Sequence, residues 1–147
     1  MDGPGFQRLI DIRFGYSEER DDERAFILDQ QLDNTGTPGD VMELLTMIAE
    51  SRCASRVSCD LMVEILCRQE WRNRIPAGLP EGTKSGNKTG SVAGTINDTA
   101  LAWRPDGSAI AIVAFCKGLS REAATRAPHA IARIAGTMWT HFAEEDA

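Results

Sequence analysis

Lys88-Thr89-Gly90-Ser91, then Gly94-Thr95-Ile96-Asn97-Asp98-Thr99-Ala100-Leu101-Ala102-Trp103-Arg104-Pro105-Asp106-Gly107, then Ala109-Ile110-Ala111-Ile112-Val113-Ala114-Phe115-Cys116-Lys117 is the stretch whose reading decides the fold. Gly94 and the Pro-Asp-Gly triplet at residues 105–107 are turn formers, and the runs between them are short and rich in β-branched and small apolar residues. Three strands are expected, roughly Thr83 to Gly90, Ile96 to Arg104 and Ala109 to Lys117, joined as an antiparallel meander. The third run does not alternate, whereas a strand with one wet face alternates. Its continuous apolarity predicts a strand covered on both faces and paired on both sides, although this chain offers a neighbour on one side.

Helical periods flank the strands. Val41, Leu44, Leu45, Ile48 and Ala49 recur at i, i+3, i+4, i+7 and i+8, with Thr37 placed to cap and Pro38 at the first helical position. A second helix is expected from near Ser55, with Cys59, Met62, Val63, Leu66 and Cys67 on one stripe, ending before Pro76. The two should form an antiparallel pair. After the strands, Ala127, Ala130, Ile131, Ile134, Ala135, Met138 and Phe142 define a terminal amphipathic helix, capped by Thr125 with Pro128 in its first turn. Before Gly36 the chain mixes charges and glycine with one short apolar cluster at Phe6, Leu9, Ile10 and Ile12, and reads mostly as loop. The expected class is α+β: residues 1–36 loop-rich, 37–75 a helical pair, and 79–147 three strands with a C-terminal helix packed on them.

Composition excludes several functions. The 147 residues carry a formal net charge of −6, and without a basic stripe there is nothing to hold a nucleic-acid backbone. The longest apolar run, Ala109 to Cys116, is too short to span a bilayer, and the first residues show neither the basic nor the apolar region of an export signal. Cys53, Cys59, Cys67 and Cys116 lack metal-ligand spacing and read as free thiols packed as small hydrophobes. His129 and His141 have no matching ligand set and read as surface or capping residues, so no metal or cofactor is expected.

Lys-Thr-Gly following Ile75-Pro76-Ala77-Gly78-Leu79-Pro80-Glu81-Gly82, and followed by Gly94 to Asp98 and the Trp103 to Gly107 turn, resembles the class A β-lactamase family. These serine acyl-hydrolases carry Ser-x-x-Lys, Ser-Asp-Asn and Lys-Thr-Gly motifs. Asp2-Gly3-Pro4 resembles the Gly-Gly-Pro that follows the family's Ser-Asp-Asn helix, Asn34-Thr35-Gly36-Thr37-Pro38 the close of its ω-loop, and Ser120 to Phe142 its last helix. The resemblance therefore implies the C-terminal half of a β-lactamase-like domain, with β-lactam hydrolysis as the family's activity and the motifs carrying the nucleophile absent.

Ser85-Gly86-Asn87-Lys88 satisfies the Ser-x-x-Lys spacing but lies in an expected strand, where residues three apart point to opposite faces. On a helix they would share one. No Glu-x-x-x-Asn, the family's general-base pattern, precedes Pro38, and Glu18, Glu19 and Glu23 belong to an acidic surface run, Ser17 to Arg24.

By the resemblance, Lys88 supplies a positive charge to a substrate carboxylate and to proton relay, and Thr89 hydrogen-bonds the same carboxylate. Gly90 permits close approach, the Ser91 backbone N–H is one of two oxyanion donors, and Arg121 or Arg126 completes carboxylate recognition. The expected ligand is a β-lactam or a peptidoglycan-like carboxylated compound, and the expected partner a second copy or a complementary N-terminal fragment. A noncatalytic remnant or interaction module is the alternative. The family usually works outside the cytoplasm, while this sequence displays no signal, so its location stays unassigned.

Overall fold

The computed structural model describes residues 36–92 and 94–144. The readings of the first 35 residues, including the apolar cluster, the acidic run and the Asp2-Gly3-Pro4 segment, lie outside the described residues. The order is α1 (Pro38–Ala49), α2 (Arg56–Cys67), a single turn α3 (Ile75–Gly78), β1 (Ser85–Val92), β2 (Thr95–Trp103), β3 (Ala109–Cys116) and α4 (Arg121–Glu144). The strands form one antiparallel sheet in the order β1-β2-β3, so the expected α+β meander is the architecture observed.

Helix α1 starts where its local signals put it. Thr37 accepts from the Asp40 backbone N–H at 3.2 Å while the Asp40 carboxylate accepts from the Thr37 N–H at 2.7 Å, a reciprocal capping box with Pro38 at the first position. Ser55 caps α2 through the Ser58 N–H. That helix ends at Cys67, eight residues before the expected stop, and Pro76 lies instead within the first turn of α3. A proline is as well tolerated in a first turn as it is effective at ending a helix, and its presence alone does not say which.

The last helix corrects a second reading. It begins at Arg121, with Ser120 accepting from the Ala123 N–H, and Pro128 sits inside it rather than in the first turn. Thr125 is already helical and its hydroxyl donates to the Glu122 carbonyl.

One core lies between the sheet and α4. Ile75, Ala100, Ile112, Ile131 and Ala135 are almost fully buried together, with Leu79, Ile96, Ile110, Ala114 and Cys116 packed around them. Burying each isoleucine contributes about 1.5–3 kcal/mol. Closeness between α3 and α4 depends on glycine, because a Cβ on Gly78 would fall 1.8 Å from the Ala132 carbonyl oxygen. On the other face α1 contacts β3 and α2 contacts β1, and a Cβ on Gly86 would sit 2.8 Å from the Leu66 Cβ. Helices on both faces explain why β3 is apolar without alternation.

The expected second pairing partner of β3 does not occur among the described residues, where β3 bonds to β2 alone. The apolar arc of α4 is likewise half covered. Ala127, Ile131, Ala135 and Trp139 are buried, whereas Ala130, Ile134, Met138 and Phe142 from the same expected face are exposed, Ile134 at 57%.

Candidate active site

Lys88, Thr89, Gly90 and Ser91 are consecutive on β1, an edge of the described sheet, opposite Thr99, Asp98, Asn97 and Ile96 of β2. Alternation places Lys88 on the face that Gly86 turns toward α2, and Thr89 and Ser91 on the face shared with Asn87 and Asp98. Lys88 is exposed, and its ammonium donates to the neighbouring Thr89 carbonyl. A Cβ on Gly90 would meet nothing closer than the Asn97 Cβ, at 3.7 Å. Packing within the chain therefore does not demand glycine there, and the space over it is open to a ligand.

Behind the strand lies a polar cluster that the sequence did not reveal. Arg74, 8% exposed, donates through Nη1 to the carbonyls of Gly90 (2.9 Å) and Asn97, and through Nη2 to the Ser91 hydroxyl at 2.5 Å. One guanidinium thus ties the motif-bearing end of β1 to β2. Its planar fork suits three acceptors in a way that a lysine ammonium would not.

Asp98 is fully buried beside it. Its carboxylate accepts from the Ile75 N–H at 2.9 Å and from the Asn87 amide and Thr99 N–H, each at 3.1 Å, while the same Asn87 amide donates to the Trp71 carbonyl. Burial pushes the Asp98 carboxyl above its ordinary value against the opposing pull of these bonds and of Arg74. Asp98, an acid on the strand face it shares with Ile96, Ala100 and Ala102, was the available signal for this cluster. Arg74 left none, because its partners lie 16 to 23 residues away.

Of the remaining predicted residues, Arg121 and Arg126 lie on α4 and Ser85 at the start of β1. Arg126 pairs with Glu122 at 3.3 Å on the surface of α4, both side chains well exposed, and Arg121 occupies the first position of the same helix. Ser85 is buried, accepts from Arg72 Nη2 at 2.6 Å, and by alternation faces away from Lys88. Its Ser-x-x-Lys spacing therefore brings no lysine to its hydroxyl.

No cluster of three or more metal-ligating side chains occurs among the described residues, and no described helix is long and apolar enough to cross a membrane. A groove of about 1010 Å³ opens at the far end of the strands between Lys84, Trp103, Arg104 and Trp139, and none of residues 88–91 lines it.

Helices on both faces of a three-stranded antiparallel sheet, the last helix packed on it, match part of a β-lactamase-like α+β fold. The chain belongs to the β-lactamase enzyme family, whose model matches residues 10–142. Among solved structures it is similar to the β-lactamase from Sphaerobacter thermophilus DSM 20745 (32% identity, TM-score 0.61, 73% of this chain and 41% of that one). It also resembles PBP-A in fold (23%, 0.70, 79% and 43%) and TLA-3 extended-spectrum β-lactamase (24%, 0.67, 78% and 44%). The chain spans less than half the length of each. No curated protein matches it.

Proposed function

We propose that this chain is the carboxylate-recognition and oxyanion side of a class A β-lactamase-like serine hydrolase, inactive on its own. Lys88 from one face of the β1 edge and Thr89 from the other hold the carboxylate of a β-lactam or peptidoglycan-like ligand lying along that edge, and the open backbone at Gly90 lets it approach. The Ser91 N–H donates to the oxyanion of an acyl-transfer step, and Arg121 or Arg126 completes the carboxylate site. The observation that carries this reading is the four-residue motif held at a sheet edge by a buried arginine. A variant of PBP-A has been captured as an acyl-enzyme with penicillin G, which supports β-lactams as the substrate class. Acylation needs an activated nucleophile, and no described serine is paired with a helical lysine. Incubation with a chromogenic cephalosporin, with intact-mass detection of an acyl adduct, should give neither turnover nor adduct. Turnover abolished by Ser85→Ala would refute the proposal.

The half-covered arc of α4, together with the one-sided pairing of β3 among the described residues, favours a second reading, that the chain works paired. Its partner would be a fragment supplying Ser-x-x-Lys and Ser-Asp-Asn, or a second copy.

A further inference from the structure

The corner between α1 and α2 holds two cysteines in contact, and nothing in the proposed chemistry uses them. Cys53 lies two residues before the Ser55 cap of α2, and Cys59 is the fourth residue of that helix. The chain entering the helix therefore folds back over its first turn, much as an apolar residue before a cap packs on the fourth helical position. The two sulfurs are 3.6 Å apart, and Cys59 Sγ also approaches the Ala54 carbonyl at 3.8 Å. Cys59 is completely buried and Cys53 half-buried. Cys67 and Cys116 lie elsewhere, at the end of α2 and on β3.

We propose that Cys53 and Cys59 form a reversible thiol–disulfide site whose co-reactant is a small external disulfide. The accessible Cys53 sulfur attacks the external disulfide, forming a mixed disulfide and releasing one small thiol. The Cys59 sulfur then attacks Cys53 Sγ, forming the internal bond and releasing the second thiol. Two protein thiols are oxidised, the external disulfide is reduced to two thiols, and the two S–H protons end on them.

Closing the bond requires the sulfurs to approach from 3.6 Å to roughly 2 Å. Cys53 can make that movement because it lies outside both helices, in a turn whose Ser51 already adopts φ 56°, so no helical hydrogen bond has to break. The bond would staple the entry of α2, the helix whose other end, at Leu66 and Cys67, packs on Gly86 two residues before Lys88. Oxidation thus stiffens the support of the motif strand at a distance from it.

The test uses the full chain, natively folded, with Cys67→Ser and Cys116→Ser so that the tryptic peptides on either side of Arg56 each carry one thiol. Burial holds the Cys53 thiol above its ordinary value, with the Cys59 sulfur adding to it, so the reaction with oxidised glutathione is run at mildly alkaline pH. The expected product has lost the mass of two hydrogen atoms and carries no glutathione. It joins the peptide containing Cys53 to that containing Cys59, returns to the starting mass with dithiothreitol, and melts higher than the reduced form by at least roughly 3 °C. Cys53→Ser should abolish the mass loss. A stable glutathione adduct on Cys53 without internal closure, or an unmodified chain, would overturn the proposal. The readout is independent of β-lactam binding, so it stands or falls apart from the proposed function.

Discussion

Replacing Arg74 with methionine removes the three hydrogen bonds that bind Gly90, Ser91 and Asn97 together while nearly preserving side-chain volume. Each bond to a charged donor contributes about 1.5–3 kcal/mol, a gross loss of several kcal/mol. Relief of the buried guanidinium's desolvation, itself several kcal/mol, acts in the opposite direction and can make the replacement of a complete ion pair nearly neutral. Here the acceptors stay behind: two backbone carbonyls and a hydroxyl at the motif end of β1, where Gly90 and Ser91 are exposed and Asn97 half-buried, so water takes up part of the lost bonding. What water does not replace is the tie between β1 and β2, and the net destabilisation should be roughly 1–3 kcal/mol, still a sizeable share of the 5–15 kcal/mol typical of a domain.

Urea unfolding would show this as a lower midpoint with an unchanged slope. Arg74→Lys should recover less than half of the loss, since one ammonium cannot span three acceptors. Ser91→Ala, which removes one acceptor and keeps its backbone N–H, should cost about 1 kcal/mol in the wild type and nearly nothing in the methionine variant, a coupling expected of groups in contact. A change below about 0.5 kcal/mol for Arg74→Met would refute the claim that this side chain holds the strand end.

Three further outcomes follow from the same geometry. Because burial raises the Asp98 carboxyl above its usual 3.8, the folded state keeps that proton to higher pH than the unfolded chain. The stability it contributes is complete below 3.8 and declines as pH rises from there through the folded value, so the wild type's margin over Asp98→Asn in urea midpoints should shrink across that interval. A margin that widens would mean the carboxylate is favoured in the fold. Arg74→Met should move the same decline to higher pH, because it removes a cation that opposes the shift. For the edge of β3 that β2 leaves open and the exposed Ile134, Met138 and Phe142 of α4, light scattering should show self-association that grows with concentration and falls when Ile134→Lys and Met138→Lys are introduced together. A monodisperse monomer with a sharp melt would contradict the paired reading.

The sequence disclosed what was local. Thr37 and Pro38 announced the start of α1 because a cap and a first-turn proline act within one turn, and turn glycines placed all three strands within about two residues. Pro128 misled for the same reason: a rule about first turns does not state where the first turn is. Residue-by-residue resemblance, which began the helix at Ser120, did better. The end of α2 at Cys67 had no glycine or proline to mark it. The four motif residues were legible because they are contiguous. Arg74 was hidden because its role depends on chain reversals between α3, β1 and β2, and the expectation for Arg126 missed its engagement with Glu122, a partner one helical turn away.

The central claim, that Lys88 and Thr89 grip a carboxylate, is tested most directly by calorimetric titration of the chain with a penicillin and with its methyl ester, in wild type and in Lys88→Ala. A charge-assisted contact at an exposed site contributes at most about 1.5–3 kcal/mol, so the acid should bind wild type roughly tenfold or more tightly than the ester, and Lys88→Ala should erase most of that difference. Equal affinity for acid and ester in the wild type, or a preference that survives Lys88→Ala, would contradict it.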